Sequence, residues 1–586
     1  MGVKIMKNQF IQKMFWQLMG PSILAAIGLA IANIADSLVV GISTGSVGLA
    51  TIGLTVPIYM IYAVFYVGLG IGGSVEFARL AGEGKVQEAR KIFNMTMFVS
   101  VGIGLIFCVA GIFFTRQVLW LLGTSPADGR LYQLAYQYAH ILLVSAPVFF
   151  INTPLCIFIR NDDAPKLAGI GFAVGNVIDV VMNFTLVLGL KVGVAGSIWA
   201  TVIGQTVSVL ILSIHILGKK EHIMRIAPVM PECRKITKIL KSGMATSNQY
   251  VLQFIFIMII NHILNNRQGN TGVAVFDVVL NVSYVGLLFF YAAGDALQPL
   301  VSTFHGERNI EAQEKTYRLS LFYGLLLGGI LLLAIMIGAE TVCGVFGLEG
   351  DEEIRLGAAA VRIYCVGGIF AGANMICSAY YQSVEDLKKA YFISFLRGMA
   401  LLLLFTVICS YFPDRWFFSL FPLTEICCLL LFLLTRRLAR LQNGEVLPKE
   451  DRIYSMLLGK NEQNLAEIIE KIESFCESFG ATAKQNYYVT VTAEEICSAI
   501  LENAATGEDD SLYISLTIIA EFNGDFRLCI RDNALAFNPF DLEARKAQKE
   551  DDEKQLGGLG IFIVKQKAKN FYYRRYLNFN TLNILV

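Results

Sequence analysis

Two groups of residues in this 586-residue chain could carry chemistry, and they lie in segments of opposite polarity. The first group consists of carboxylate and amide side chains inside long apolar runs. The second is the stretch GGLGIFIVKQ, with Gly557, Gly558 and Gly560, in a polar segment near the end. Glycines ahead of a helix leave backbone amides free to meet a phosphate at the positive helix N-terminus. The two groups must therefore work in different solvents.

In the first half, two of the apolar runs contain an acid. Asp36 lies late in the first run, and Asn33 is one turn earlier on the same helix face. A carboxylate at mid-bilayer costs about 2.5–3.5 kcal/mol, so it needs a partner or a water-filled cavity. Asn176, Asp179 and Asn183 follow at spacings of three and four and share one helix face. That face fits either a cation site with oxygen ligands or an interhelical hydrogen-bond ladder. The alternative for Asp36 is a hydrogen bond that only fixes helix packing.

The second half also has acids inside its apolar runs. Asp277 and Asn281 share a helix face at a spacing of four, and Asp295 follows in the same apolar run. These three residues are the candidate transport residues there, whereas Glu425 in the last run favours a structural role.

Composition sets the class of protein. Hydrophobic residues make up 55% of the chain and charged residues only 16%, which is far more apolar than a soluble protein. The net charge of +1 gives no case for nucleic-acid binding. Roughly half of the Asp and Glu residues lie beyond residue 444, so the composition changes there. Cysteines without CxxC spacing or a Cys/His cluster favour reduced thiols and no metal site.

Apolar runs of spanning length, about 20 residues each, recur up to about residue 440. We count about twelve: 15–41, 52–74, 92–115, 134–158, 167–190, 194–217, 243–264, 272–298, 319–346, 357–380, 390–411 and 416–435. Lys and Arg are concentrated at the N-terminus and in alternate loops, which places both termini in the cytoplasm by the positive-inside rule. The sequence thus predicts a multi-pass protein of the cell membrane with a cytosolic C-terminal domain.

The apolar part repeats itself. Gly82-Glu83 opens one polar loop and Gly306-Glu307 opens another 224 residues later, and IRNDDAPK (159–166) is echoed by YQSVEDLK (381–388). An even number of spans per repeat makes both halves face the same way, with a substrate cavity between them. We therefore expect two six-helix lobes and a soluble domain, bounded as follows: 1–218, 219–440, a linker at 441–458, and 459–586.

The apolar part resembles the multidrug and toxic compound extrusion (MATE) transporters. The matching stretches are GPSILAAIGLAIANIADSLVVG (20–41), VGLGIGGSVEFARLAGEGKVQEARKIF (67–93), VGVAGSIWATVIGQ (192–205), LQPLVSTFHGERN (297–309) and YYQSVEDLKKA (380–390). The resemblance implies secondary active export driven by a Na+ or H+ gradient. It places Asp36 at the family's cation-coupling aspartate. The family often has Asn before Asp where this chain has Asp179 before Asn183.

Residues 460–586 resemble the ATP-binding domain of anti-sigma-factor serine kinases, in the histidine-kinase and gyrase-like (GHKL) superfamily. EEICSAILENA places Glu495 at the general base, and RDNALAFNP places Asp532 at the adenine aspartate. Ala499 stands at the magnesium-binding Asn, and Ala534 at a Gly. An alanine cannot coordinate Mg2+, which needs oxygen ligands. The resemblance therefore implies an α/β sandwich that retains ATP or ADP binding with weak or absent catalysis, or one kept for protein contact alone.

The favoured function is an antiporter that exports organic cations or drugs in exchange for H+ or Na+, with a cytosolic regulatory domain. One alternative is a membrane signalling protein whose kinase-like domain binds a regulatory protein. Another is a flippase of lipid-linked substrates, because fold likeness does not fix the substrate.

Overall fold

The computed structural model describes residues 2–218, 223–228, 232–307, 309–346, 348, 350–443, 452–459, 465–503, 512–521, 523–541, 559–577 and 579–586. The first helical half contains α1 Gly2–Gly82, α2 Val86–Leu121, α3 Arg130–Val144, α4 Ala146–Asn161, α5 Pro165–Asn183 and α6 Val194–Leu217. The second helical half contains α7 Cys233–Gly286, α8 Leu288–Gly306, α9 Ile310–Ile337, α10 Ala339–Val345, α11 Asp351–Ser383, α12 Leu387–Phe395, α13 Leu401–Cys409, α14 Asp414–Phe417 and α15 Leu420–Asn443.

Among the described residues, eight helices are long and apolar enough to cross a membrane. The count rises to ten when the bent pairs α3–α4 and 274–286 with α8 are each taken as one span. Two further predicted runs have different counterparts: 243–264 belongs to the long helix α7, and 416–435 corresponds to the shorter apolar helix Leu420–Thr435. The helical body agrees with the predicted fold class.

Glycines allow α1 to pack directly on α8 of the other half. A Cβ atom built on Gly82 would lie 2.3 Å from the Thr303 carbonyl oxygen, and one on Gly306 would lie 2.1 Å from the Arg79 carbonyl oxygen. Gly68 of α1 meets Gly243 of α7 in the same way. Small residues let helix backbones approach closely in membrane proteins. These contacts bring the two halves together at one end of the body.

Ion pairs cross the same junction. Arg79 Nε lies 3.0 Å from a carboxylate oxygen of Glu385, and Lys238 Nζ lies 2.8 Å from one of Glu76. Burial, and the Glu76 carboxylate beside it, raise the pKa of Glu385 to about 7. The first half thus supplies one partner of each pair and the second half the other.

The C-terminal domain is a five-stranded antiparallel sheet with helices on one face. Its strands are β1 Ile453–Gly459, β2 Tyr513–Ala520, β3 Phe526–Asp532, β4 Asn570–Tyr576 and β5 Phe579–Leu585, in the order β1-β2-β3-β5-β4. Its helices are α16 Leu465–Ser478, α17 Ala483–Asn503 and α18 Leu559–Lys567. Strand β1 begins inside 441–458, the segment expected to be a linker, ends at Gly459 and pairs along its length with β2.

The domain rests on the helical body at the junction of the two halves. The face of the sheet without helices contacts Glu83 and Asn161 of the first half and Glu307 of the second. We call this side of the body the domain side.

The glycine junction generates a stability prediction. The change Gly306→Ala should lower the thermal unfolding temperature of the detergent-solubilised protein, because the added methyl group forces α1 and α8 apart at a cost of about 1–3 kcal/mol. The control is Gly329→Ala in α9, where nothing lies within 4 Å of the new Cβ atom. That control should be neutral or stabilising, since Ala favours helix over Gly by about 1 kcal/mol. Equal unfolding temperatures for the two variants would contradict the close packing.

Candidate functional site

Two carboxylates of the first half converge on one amide. Asn183 Nδ2 donates a hydrogen bond to Asp36 Oδ1 and a second, of 3.1 Å, to Asp179 Oδ1. Asp179 is 5% exposed and Asn183 is fully buried. Asp36 comes from α1, whereas the other two residues come from α5, so the site joins two helices. This is the closest association of acids that the structure shows among the residues predicted from sequence.

Local backbone features place these side chains. Gly28 lets α1 approach α5, since a Cβ atom there would lie 3.3 Å from Ala173 Cα. Immediately after Asn183 the helix widens into a π-helical turn, Phe184–Gly189. Such turns are rare and frequently occur at functional sites. Gly204 of α6 packs on the other side, where a Cβ atom would come within 2.9 Å of Asp179 Cβ.

The charge at this site has no cationic partner in the described part of the chain. Neither Asp36 nor Asp179 forms an ion pair there, and both accept only from neutral donors. Asn183 Oδ1 and Asn176 Nδ2 are buried and have no hydrogen-bond partner among the described residues. Two carboxylates and a free amide oxygen are groups that can bind a proton or a small hard cation. The side chain of Asn33 lies outside the described residues.

The second-half candidates do not form an equivalent site. Asn281 Nδ2 lies 3.2 Å from an Asp277 carboxylate oxygen, and Asp277 is exposed. Asp295 instead forms an ion pair of 2.8 Å with Arg160 of α4, across the junction between the halves. Within the described residues, Asp277 thus has an amide neighbour and Asp295 has an arginine.

The second half contains a charge pair that sequence reasoning missed. Arg397 Nη2 donates to Glu425 at 2.9 Å, and Asn374 donates to the other carboxylate oxygen at 2.8 Å. The charged side chains are 10% and 13% exposed. Arg397 lies in a second π-helical turn, Leu396–Ala400. The signal available in the sequence was a single arginine inside an apolar run.

This pair forms part of the wall of a cavity of about 150 Å³. The cavity is otherwise mainly aromatic and apolar, and its polar groups are Gln253, Ser283 and the hydroxyls of Tyr284, Tyr291 and Tyr364. Apolar surfaces with a few polar groups are typical of small-molecule sites.

The candidate nucleotide residues lie in the helix-covered half of the C-terminal domain. Asp532, at the end of β3, accepts hydrogen bonds from the Ala534 amide at 2.9 Å and Asn580 Nδ2 at 2.7 Å. Burial raises the pKa of Asp532 to about 6. Asn580 was not predicted; its signal is a buried polar residue in an apolar strand. The Asp532 carboxylate is a suitable acceptor for an adenine amino group.

The residues at the expected magnesium position of this site do not fit Mg2+. Glu495 is half-buried on α17, where burial and the neighbouring Glu494 and Glu502 raise its pKa. Ala499 lies one turn later and is packed in the apolar core of the domain. A methyl group offers no ligand for Mg2+. Gly557 and Gly558 lie outside the described residues, and Gly560 lies in the first turn of α18.

Comparison with known proteins defines the class. The MatE family model matches residues 21–185 and 243–408, and a histidine kinase-like ATPase domain matches 459–584. The chain belongs to the MatE family of multi-pass membrane transporters, with a histidine kinase-like ATPase domain at its C-terminal end.

Related proteins are named as multidrug resistance or multidrug export proteins. The chain is 22% identical to the probable multidrug resistance protein YoeA of Bacillus subtilis, over 61% of this chain and 78% of that protein. It is 24% identical to the multidrug export protein MepA of Staphylococcus saprophyticus, over 48% of this chain and 62% of that protein. A solved outward-facing multidrug resistance MATE family transporter matches with a TM-score of 0.67 and 22% identity, covering 74% of this chain and 97% of that one.

The Arg397–Glu425 pair generates a prediction about stability. Replacing Arg397 alone with Gln should lower the free energy of unfolding by about 3–5 kcal/mol, because it leaves a buried carboxylate without its counter-charge. The double change Arg397→Gln/Glu425→Gln should lower the free energy of unfolding much less, because no buried charge is left unpaired. Thermal unfolding of the solubilised protein measures both effects. The exposed pair Arg362–Glu340 is the control, and Arg362→Gln should cost at most about 1 kcal/mol. Additive losses in the double variant would contradict a direct pair.

Proposed function

We propose that the chain is a cation-coupled antiporter that exports organic cations or amphipathic drugs in exchange for H+ or Na+. The observation that carries this proposal is the association of Asp36 and Asp179 around one amide, without a basic partner in the described residues. A charged site of this kind inside a membrane protein is costly unless a cation or proton neutralises it. The multidrug names of the relatives support the substrate class.

The site residues have distinct roles in this exchange. Asp36 and Asp179 hold the coupling ion, and Asn183 keeps the carboxylates together by donating to both. The free Asn183 oxygen adds a neutral ligand when the ion is Na+. When the ion leaves, the two carboxylates repel each other and only one amide holds them together. The ion-bound and ion-free states therefore favour different arrangements of α1 and α5. Such a difference in affinity between two states is what couples an ion gradient to a conformational change.

The second-half cavity is the proposed place for the body of the substrate. Its tyrosine rings can stack on a planar organic cation. Because Arg397 and Glu425 neutralise each other, the cavity selects by shape and stacking more than by net charge. The second-half residues Asp277, Asn281 and Asp295 remain candidates for a secondary transport role.

Orientation follows from the basic loops. Arg79, Lys85 and Arg90 lie on the domain side or beside it, which agrees with a cytoplasmic location under the positive-inside rule. We propose that the domain side faces the cytoplasm of the cell, with both termini there. The ATPase-like domain then lies where nucleotide is available.

The C-terminal domain is proposed to regulate transport and not to power it. Asp532 would hold adenine, and a bound nucleotide would supply phosphates for the helix at Leu559–Lys567. Without an oxygen ligand at Ala499, phosphoryl transfer lacks the ion that neutralises developing charge. We therefore propose ATP or ADP as a regulatory ligand and weak or absent hydrolysis; a cytosolic regulatory protein is the proposed partner of the domain.

Export measurements test the coupling site. Everted vesicles carrying Asp36→Asn or Asp179→Asn should lose gradient-driven uptake of a fluorescent organic cation, because an amide cannot exchange a proton and binds Na+ more weakly. Glu340→Gln, at an exposed ion pair far from the site in sequence, should behave as the parent does. Unchanged uptake by the Asp36→Asn vesicles would refute the coupling role.

Nucleotide titration tests the role of the domain. Binding of a fluorescent ATP analogue to the purified full-length protein should depend little on Mg2+. Binding should weaken in Asp532→Asn, because the amide has one acceptor oxygen where the carboxylate has two. Phosphate release should stay at or close to the level of a protein-free sample. Strong Mg2+-dependent hydrolysis would contradict the interpretation of Ala499.

A further inference from the structure

The sheet of the C-terminal domain has two faces with different partners. Leu528 and Ile530 of β3 pack in the apolar core beneath the domain's helices. Side chains alternate along a strand, so Arg527 and Arg531 project from the opposite face. In the described part of the domain that face carries no helix, and it meets the helical body.

These two arginines bind the two repeat-related loops. Arg527 Nη1 donates to the carbonyl oxygen of Glu83 at 2.8 Å, and Arg531 Nη2 donates to the carboxylate of Glu307 at 2.5 Å. Glu83 and Glu307 occupy equivalent positions in the Gly-Glu pairs of the two halves. The side chains of Arg531 and Glu307 are only 9% and 4% exposed, so this is a buried ion pair. A single strand therefore contacts both halves at equivalent points.

A third arginine holds another loop of the first half. Arg574 Nη2 donates to the carbonyl oxygen of Asn161 at 2.6 Å and lies 3.8 Å from Asp162. In the same loop Asp163 accepts from the backbone amide of Leu577. The counterpart loop of the second half uses Glu385 differently, since that residue pairs with α1 across the junction.

Apolar anchors accompany the arginines. Tyr572 packs against the buried cluster of the first half, next to Gly84. Leu577 and Phe579 are 3% and 2% exposed and join a buried cluster that consists mainly of second-half residues and includes Phe304. The Arg531 guanidinium lies 5.2 Å from the centre of the Phe304 ring. The hairpin β4–β5 thus inserts side chains into both halves.

We propose that this sheet face is a built-in clamp that holds the two halves together on the domain side and must release before that side can open. The inference rests on the proposed function, in which the halves separate alternately on the two sides. Opening on the domain side moves Glu83 away from Glu307, and a rigid strand cannot follow both. The arginine contacts to one half must then break, so the clamp favours the state that is closed on the domain side.

The strand that forms the clamp also carries the nucleotide-site aspartate. Arg531 and Asp532 are consecutive, and their side chains lie on opposite faces of β3. A shift of β3 on nucleotide binding would reach the Arg531–Glu307 pair directly. This connection gives the regulatory domain a route to the transport cycle.

Chemical labelling of the closed junction tests the clamp in the full-length protein. Thr303 is buried where α8 meets Gly82, so Thr303→Cys reports opening, in a background in which the exposed Cys233 is changed to Ser. The double change Arg531→Gln/Arg574→Gln should speed maleimide labelling of this cysteine about tenfold or more, since each lost charge-assisted bond favours opening. The matched control is Lys567→Gln, an exposed residue of the same domain.

The outcomes separate the clamp from its alternatives. Labelling at the Lys567→Gln rate in the arginine variant would overturn the clamp, and equal far-ultraviolet circular dichroism of the two variants checks that the domain stays folded. Glu307→Gln and Arg531→Gln should each speed labelling, and their combination should speed it less than either single change if these side chains are direct partners, because the single changes leave a buried charge unpaired. Effects that multiply would overturn that pairing. Labelling does not depend on transport, so faster labelling in a protein that exports nothing would support the clamp and refute the proposed antiport.

Discussion

The whole structure depends on one constraint: a charged side chain that leaves water must find a partner. Removing an ion from water costs several kcal/mol even after relaxation, and only an opposite charge with good hydrogen bonds offsets it. Arg397 meets Glu425, Arg160 meets Asp295, and Arg531 of the soluble domain meets Glu307 of the helical body. Asp36 and Asp179 depart from this pattern within the described residues. That departure is why their site is the proposed place for a coupling cation.

The repeat gives the two halves the same framework with different chemistry. A π-helical turn follows α5 in the first half and α12 in the second. Beside the first turn lie two acids and an amide, whereas the second contains Arg397, which forms an ion pair with Glu425. The polar loops diverge in the same way, because Glu307 binds the C-terminal domain through its carboxylate and Glu83 through its backbone. In the proposed function, the first half therefore holds the ion and the second half holds the substrate.

Much of this architecture could be predicted from sequence, because spanning length, basic loops and a constant repeat offset are properties of composition and spacing. Asp36, Asp179 and Asn183 could be selected in advance because acids are rare in apolar runs, but their convergence depends on how α1 packs on α5. Arg397 was overlooked, since its partner is 28 residues away on a different helix. The docking of Arg531 on Glu307 was also beyond prediction, because it joins residues 224 positions apart through tertiary contact alone.

The central claim is that an ion gradient drives this transporter and that the ATPase-like domain does not. Purified full-length protein in liposomes, with an imposed H+ or Na+ gradient and no nucleotide, provides the most direct measurement. We expect the gradient alone to move a fluorescent organic cation against its concentration difference, and collapse of the gradient with an ionophore to stop the movement. Transport that proceeds only when ATP and Mg2+ are added, with or without a gradient, would contradict it.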